Sequence, residues 1–498
     1  MEKITDADVQ EFIKKSGVEN VLIDLKKKIA DREFKSGEKF IVSDVYDKDN
    51  HQYVDLVQEG GGVWGIALLG YTYVLEKMGI RFFSLAGTSA GAINTILLAA
   101  TKNKEEEKTE DIIKQFLELD MFSFVDGKKN DSRLTSSIKN LIQKFILRKN
   151  YLAKLKKSIL TFLGAMAFFS LATFIAGIFV PNIFIKWIAM AALLFWIIAT
   201  IILLLLNHRI KHIAKTGYGL NKGDAFHKWI SGCLEKNNVK TLDDLKAKFS
   251  RVPDSLLVHR DKQRDENTVG NVTPPNNPML TIISSDITTG NKIEFPRMWD
   301  LYWSEKSKVN PADFVRASMS IPVFFETYTI RVSKNINKPE DKWKNHLNWT
   351  GKIPHEVRFV DGGALSNFPI NVFYNPKYII PRMPTLGIRL GDSKEQTTNK
   401  LKNIFEYVGA IISTLRSSTD KDFINKNKAF TLAVTEVNLK GHSWLNFFMK
   451  DEEKRVIFRK GADEAAKFLE EFKWEDYKKQ RFDNNTFLEC QRDQPNNW

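Results

Sequence analysis

Two glycine-bordered turns, each set between an apolar strand pattern and a helical pattern, constrain this chain more than any other feature. The more informative is Gly87-Thr88-Ser89-Ala90-Gly91. It follows the apolar run Phe82-Phe83-Ser84-Leu85-Ala86 and precedes Ala92, Ile93, Ile96, Leu97 and Ala100 at helical spacing. The segment fits G-x-S-x-G, the sharp strand-to-helix turn that lifts a serine hydroxyl clear of the backbone for nucleophilic attack. A Cβ at Gly87 or Gly91 would crowd such a turn and the helix packed on it. Five residues alone also describe an ordinary glycine-bordered helix start, so the reading depends on motifs elsewhere.

The second turn lies upstream. Tyr53-Val54-Asp55-Leu56-Val57 reads as a strand and runs into Gly60-Gly61-Gly62-Val63-Trp64-Gly65. Ile66, Leu69, Tyr73 and Val74 then mark a helix, with Gly79 as its C-terminal cap. Bare backbone N–H groups at a helix N-terminus suit negative charge, either a dinucleotide pyrophosphate or the oxyanion of acyl transfer. The G-x-G-x-x-G spacing is formally the dinucleotide fingerprint, which needs an acidic residue about 20 positions on. No Asp or Glu occurs from Gly79 through Ala100, and the second strand leads to Ser89 instead. The oxyanion reading is therefore preferred.

A third motif is Glu356-Val357-Arg358-Phe359-Val360-Asp361-Gly362-Gly363, continuing through Ala364, Leu365, Ser366, Asn367 and Phe368. An alternating strand delivers Asp361 at its end, and two glycines turn the chain away. Asp-Gly is most often only a turn. Here a serine nucleophile needs a base, and none of the eight histidines sits in a motif of that kind.

Together these segments resemble the patatin-like phospholipase family, which pairs a glycine-rich oxyanion loop, a G-x-S-x-G serine and an Asp-Gly-Gly or Asp-Gly-Ala aspartate. Ala317-Ser318-Met319-Ser320-Ile321-Pro322-Val323-Phe324-Phe325 and Leu280 to Gly290 resemble two further family segments. The resemblance implies an α/β fold, a three-layer sandwich with a mainly parallel central sheet. It implies Ser89 as nucleophile, Asp361 as base, and an oxyanion hole from Gly60, Gly61, Gly62 and Gly65. Thr88 and Ala90 complete the elbow, and Gly362 and Gly363 the aspartate motif. The implied reaction is acyl transfer through a serine ester, on a membrane lipid, with no cofactor and no metal. Trp64 departs from the basic residue usual before the last glycine of the oxyanion loop, which bears on headgroup preference.

Between the motifs, Ser158 to Val180 and Trp187 to Leu206 carry no charge. As helices they would reach roughly 34 and 30 Å, enough to cross a hydrocarbon core of about 30 Å. The expectation is a membrane-embedded two-helix hairpin. Basic residues before the first run (Arg148, Lys149, Lys154, Lys156, Lys157) and after the second (Arg209, Lys211, Lys215) place the catalytic halves and both termini on the cytoplasmic side. Met1 to Ala30 is charged and shows no cleavable signal peptide.

The expected organisation is a charged helical extension (1–51), a first catalytic part (52–150), the hairpin (151–215), a second catalytic part (216–430) and a helical C-terminal extension (431–498). Arg260 to Pro278 and Lys334 to Pro354 read as surface insertions. Asp451 to Trp474 reads as an amphipathic helix that packs on the core. The net charge of +14 suits anionic headgroups or nucleic acid, but no nucleic-acid motif accompanies it. Cys233 and Cys490, without metal spacing, suit a reducing compartment. Protein partners are not specified. Two other readings stand beside the first: a Ser89–Asp361–His442 triad of the α/β-hydrolase type, in the required chain order, and a non-catalytic membrane scaffold on a hydrolase fold.

Overall fold

The computed structural model describes residues 4–119, 219–259, 275–391 and 420–493, apart from single positions 38, 377 and 448. It also describes isolated positions within 161–196 and at 414 and 418. The chain divides into two compact units, Met1–Asp126 with Asn221–Trp498, and Gly127–Leu220.

In the first unit the strands follow the apolar runs: β1 (Val45–Tyr46), β2 (Gln52–Gln58) and β3 (Ile80–Thr88). After them come β4 (Gly219–Asn221, which spans the junction of the two units), β5 (Leu257–Val258), β6 (Leu280–Asp286), β7 (Asn291–Phe295), β8 (Val323–Phe325), β9 (Tyr328–Arg331), β10 (Glu356–Asp361), β11 (Thr385–Gly391) and β12 (Val434–Asn438). The central sheet has the order β12-β11-β2-β3-β6-β10-β9. Its centre, β12 to β6, is parallel as expected. Its flanks are antiparallel: β10 against β6 and β9, β7 against β6, and β1 against β2 and β5. The fold is thus mixed α/β around a central sheet. All of β3 is buried, so it carries no polar alternation, as a strand covered on both faces requires.

Two of the helices matter for the site: α3 (Gly65–Lys77) follows β2, and α4 (Ala90–Ala100) follows β3. The helix Asp451–Glu471 forms as expected and buries Ile457, Phe458, Ala462, Phe468 and Leu469, although Val456 faces outward. It packs along α3 through reciprocal glycines. A Cβ on Gly70 would collide with the Phe458 carbonyl, and one on Gly461 with the Ala67 carbonyl. The N-terminal helices α1 (Asp6–Ser16) and α2 (Val18–Ser36) pack on the same helix. Phe12 lies edge-on to Phe458 with ring centroids 5.3 Å apart, and Arg459 donates to Gly17 O at 2.6 Å.

Two expectations need correction. Lys334 to Pro354 is not a loose insertion. It contains the helix Pro339–Leu347, whose fully buried Trp343 donates its indole N–H to Leu301 O at 3.2 Å. Arg260 to Pro278 lies mostly outside the described residues. The integral-membrane localisation, with a hairpin and cytoplasmic catalytic halves, is overturned: among the described residues no helix is long and apolar enough to cross a membrane. The runs 158–180 and 187–206 lie largely outside the described residues. Ten isolated positions there are helical, and the Trp196 indole N–H donates to Ser170 Oγ at 3.2 Å. The lack of charge in a run reports a preference for apolar surroundings, and a span needs in addition about 20 consecutive apolar residues in one helix, which no described helix supplies.

Candidate active site

The serine turn forms where β3 gives way to α4. Ser89 is held at φ 53° and ψ −117°, a conformation uncommon for any residue with a Cβ. Such strain persists only where the surroundings enforce it. Ser89 N–H donates to Ser318 Oγ at 2.9 Å, and Ser318 Oγ in turn donates to Ile283 O at 2.5 Å. A Cβ on Gly87 would strike the backbone of Gly91, and a Cβ on Gly91 would strike the carbonyls of Gln58 and Glu59. Both glycines of the elbow are therefore sterically required.

The glycine loop lies directly beside this turn. A Cβ on Gly60 would come within 3.0 Å of Ser89 Cβ, and one on Gly65 within 3.1 Å of Ala90 Cβ. Gly60 N–H donates to Asn367 O at 3.0 Å, Val63 N–H to Trp444 O at 3.0 Å, and Trp64 N–H to Gly61 O at 3.1 Å. Gly65 N–H donates back to Gly62 O and Val63 O. The N–H groups of Gly61 and Gly62 carry no hydrogen bond among the described residues. Gly62 sits at φ 56° and opens a short 3-10 turn into α3.

The aspartate motif closes the third side. Asp361 ends β10 nearly buried, its N–H donating to Ser320 O at 2.8 Å and its Oδ1 accepting Gly363 N–H at 2.8 Å. A Cβ on Gly362 would reach within 3.0 Å of Thr88 Cγ2, and Thr88 Oγ1 donates to Ser366 O at 3.0 Å. All three motifs therefore converge on Thr88 and Ser89. His442, the other candidate base, faces Glu453 Oε1 with its Nδ1 at 3.2 Å.

Sequence reasoning missed the groups that brace these loops. Asn367 Nδ2 donates to Glu59 Oε1 at 3.0 Å and to Gly60 O at 3.1 Å, and Glu59 Oε2 accepts Leu390 N–H at 2.7 Å. Asp420 accepts Ser366 Oγ–H at 3.1 Å and Phe368 N–H at 2.9 Å, and burial pushes its carboxyl upward. The only available signal was Asn367 lying six residues past Asp361 in the same motif.

Beside the loops lies a mostly apolar cavity of about 60 Å³, bounded by Gly62, Gly65, Ala90, Trp229, Met319 and Phe447. The side chain of Trp64 is buried, and its indole N–H has no partner among the described residues. It thus occupies protein interior rather than a headgroup-facing position. Among the described residues one group has the donors to hold a cation, Asp47 with Asp49 and His51. Asp47 is already engaged on both oxygens, by the N–H groups of Asp49 and His51 at 2.9 Å each, and by His51 Nδ1 and Tyr53 OH at 3.0 Å each.

A serine on a strained strand-to-helix elbow, packed between a glycine loop and a strand-end aspartate, sits at the centre of this mixed α/β fold. The chain belongs to the patatin-like phospholipase family, whose sequence profile matches residues 56–374. It is 25% identical over 425 residues to "Uncharacterized protein YqhO" of Bacillus subtilis (strain 168), covering 84% of this chain and 99% of that one. Among solved structures it is similar to VipD from Legionella pneumophila, with TM-score 0.34, 15% identity, and coverage of 87% of this chain and 71% of that one. It is also similar to the ExoU–SpcU complex of the Pseudomonas aeruginosa type III secretion system, with TM-score 0.30, 16% identity, and coverage of 86% and 52%.

Proposed function

We propose that this protein is a serine lipid acyl hydrolase that cleaves carboxylic esters through a Ser89–Asp361 dyad. Family membership supports lipid hydrolysis. The observation that carries the finer reading is Ser89 at φ 53°, set beside the N–H groups of Gly61 and Gly62, unpartnered among the described residues, and an apolar cavity bounded by the same loop.

In this reading Ser89 Oγ attacks the ester carbonyl carbon while Asp361 takes the hydroxyl proton. The Gly61 and Gly62 N–H groups hold the oxyanion. The C–O bond to the alcohol breaks, and the leaving oxygen takes the proton from Asp361. Water then attacks the acyl-enzyme, giving its proton to Asp361, and fatty acid leaves as Ser89 Oγ recovers it. The cavity takes part of the acyl chain. His442 Nδ1 is held by Glu453, and His442→Ala, assayed beside the other variants, should leave release unchanged; its loss would favour a histidine triad.

The test is fatty-acid release from a mixed panel of phospholipid, lysophospholipid and triacylglycerol in detergent micelles, with Ser89→Ala and Asp361→Asn alongside. Release by the natural protein and its loss in both variants is the expected result. Equal release by Ser89→Ala would remove Ser89 as nucleophile.

A further inference from the structure

The family match ends at residue 374, yet a later segment reaches back to the glycine loop. Residues 439–447, which follow β12, lie against the loop at Gly62 and Val63. Trp444 O accepts Val63 N–H at 3.0 Å. A Cβ on Gly62 would collide with that same carbonyl and lie 3.1 Å from Trp444 Cε3. Three residues on, Phe447 bounds the cavity together with Gly62 and Met319. Its ring stacks on Phe324 at 4.6 Å with an interplanar angle of 16°, and meets Phe325 edge-on at 6.4 Å.

The segment is also pinned from behind. Glu453, in the first turn of the long helix, accepts Asn446 Nδ2–H at 3.2 Å on one oxygen and faces His442 Nδ1 at 3.2 Å with the other. That helix is locked to α3 through Gly70 and Gly461, and α3 begins at Gly65, where the glycine loop ends. One C-terminal element thus grips the loop twice, at its exit helix and at Gly62-Val63. Helices meeting through glycines approach closely and have little room to shift.

We propose that residues 439–447 form a positioning strap for the oxyanion loop, with Trp444 as its positioning residue. By holding Val63 N–H and packing on Gly62, the strap keeps Gly62 at positive φ, the arrangement that leaves Gly61 and Gly62 N–H unpartnered. The family domain is thereby completed by chain outside it. This inference rests on the acyl-transfer reading above for its catalytic consequence, but not for its structural one.

The experiment uses the full chain and three variants. Trp444→Ala removes the indole from Gly62, Glu453→Ala releases His442 and Asn446, and Trp444→Phe keeps an aromatic plane. Hydrogen exchange of the peptide covering residues 59–66 reads the hold on the loop without reference to activity. Ester turnover reads the consequence. Expected are faster exchange in both alanine variants, a kcat lower by roughly tenfold or more with KM within about threefold, and recovery of both by Trp444→Phe. Loss of one aligned donor costs about 100- to 1,000-fold elsewhere, so a loosened loop should lose part of that. Unchanged exchange in Glu453→Ala and Trp444→Ala would overturn the strap. Faster exchange with unchanged kcat would overturn its catalytic role. If Trp444→Ala does not fold, Glu453→Ala, at a half-exposed position, decides alone. Should the natural protein release no fatty acid, the acyl-transfer reading fails by itself, while the exchange result still decides the strap.

Discussion

Gly461→Ala should destabilise the protein although alanine is the better helix former. Intrinsic propensity favours Ala over Gly by about 0.8–1.0 kcal/mol in a helix interior. At Gly461 the added methyl would lie 2.7 Å from Ala67 C and 3.0 Å from Ala67 Cα, besides its collision with Ala67 O. Carbon contacts are most favourable at about 3.5–4.0 Å, so the long helix and α3 must move apart. Overpacking of this kind costs about 1–3 kcal/mol, which outweighs or cancels the propensity gain. Gly232, inside the helix Asp224–Lys236, supplies the control, because nothing lies within 4 Å of its would-be Cβ. Gly232→Ala should stabilise by about 0.5–1 kcal/mol. Thermal midpoints and urea midpoints measured side by side should move in opposite directions, or Gly461→Ala should at least fail to gain. The gap between the two variants is the steric cost of the helix contact. Equal stabilisation of both would show that the two helices part freely, and the argument that they form one rigid support for the glycine loop would fall.

Gly62→Ala meets a positive φ and the Trp444 carbonyl together, and should lower kcat about 100- to 1,000-fold with the fold intact by circular dichroism. Asn367→Ala removes the donor shared by Glu59 and Gly60 and should lower kcat more than it raises KM, read from ester hydrolysis at saturating and limiting substrate. Lys104 is buried, donates to Phe249 O and sits 3.9 Å from the Phe249 ring centroid; burial first, then the nearby Lys108, lowers its pKa to about 7. The unfolded chain then binds more protons between about pH 7 and pH 10, so stability contributed by this site rises with pH there, by at most about 1.4 kcal/mol per unit. Lys104→Met should flatten the rise in urea midpoints between pH 7 and 9, and an unchanged slope would assign it to other groups.

The three glycine-bearing turns were legible in the sequence because each answers a short-range demand. Gly87 and Gly91 are needed where β3 turns into α4, Gly62 where the chain takes a positive φ, and Gly362 where it passes Ile283 and Thr88. Such requirements act within a few residues and leave a local pattern of small residues between apolar runs. The parallel centre of the sheet was legible for the same reason, since strand–turn–helix units repeat along the chain. The expected membrane hairpin shows where such reading stops: among the described residues no helix is long and apolar enough to cross a membrane, and the uncharged runs at 158–180 and 187–206 lie largely outside those residues.

What tertiary structure decided are the partners distant in sequence. Asn367 meets Glu59 across 308 positions, and Asp420 holds Ser366 and Phe368 from more than 50 positions away. Trp444 reaches Val63, and Gly461 meets Ala67, only because the helix Asp451–Glu471 lies along α3. None of these pairs has a spacing rule. A side-chain amide or a backbone carbonyl is drawn to whatever buried group needs it, since leaving that group unpaired costs about 1–3 kcal/mol, and the chain path alone determines which group is near.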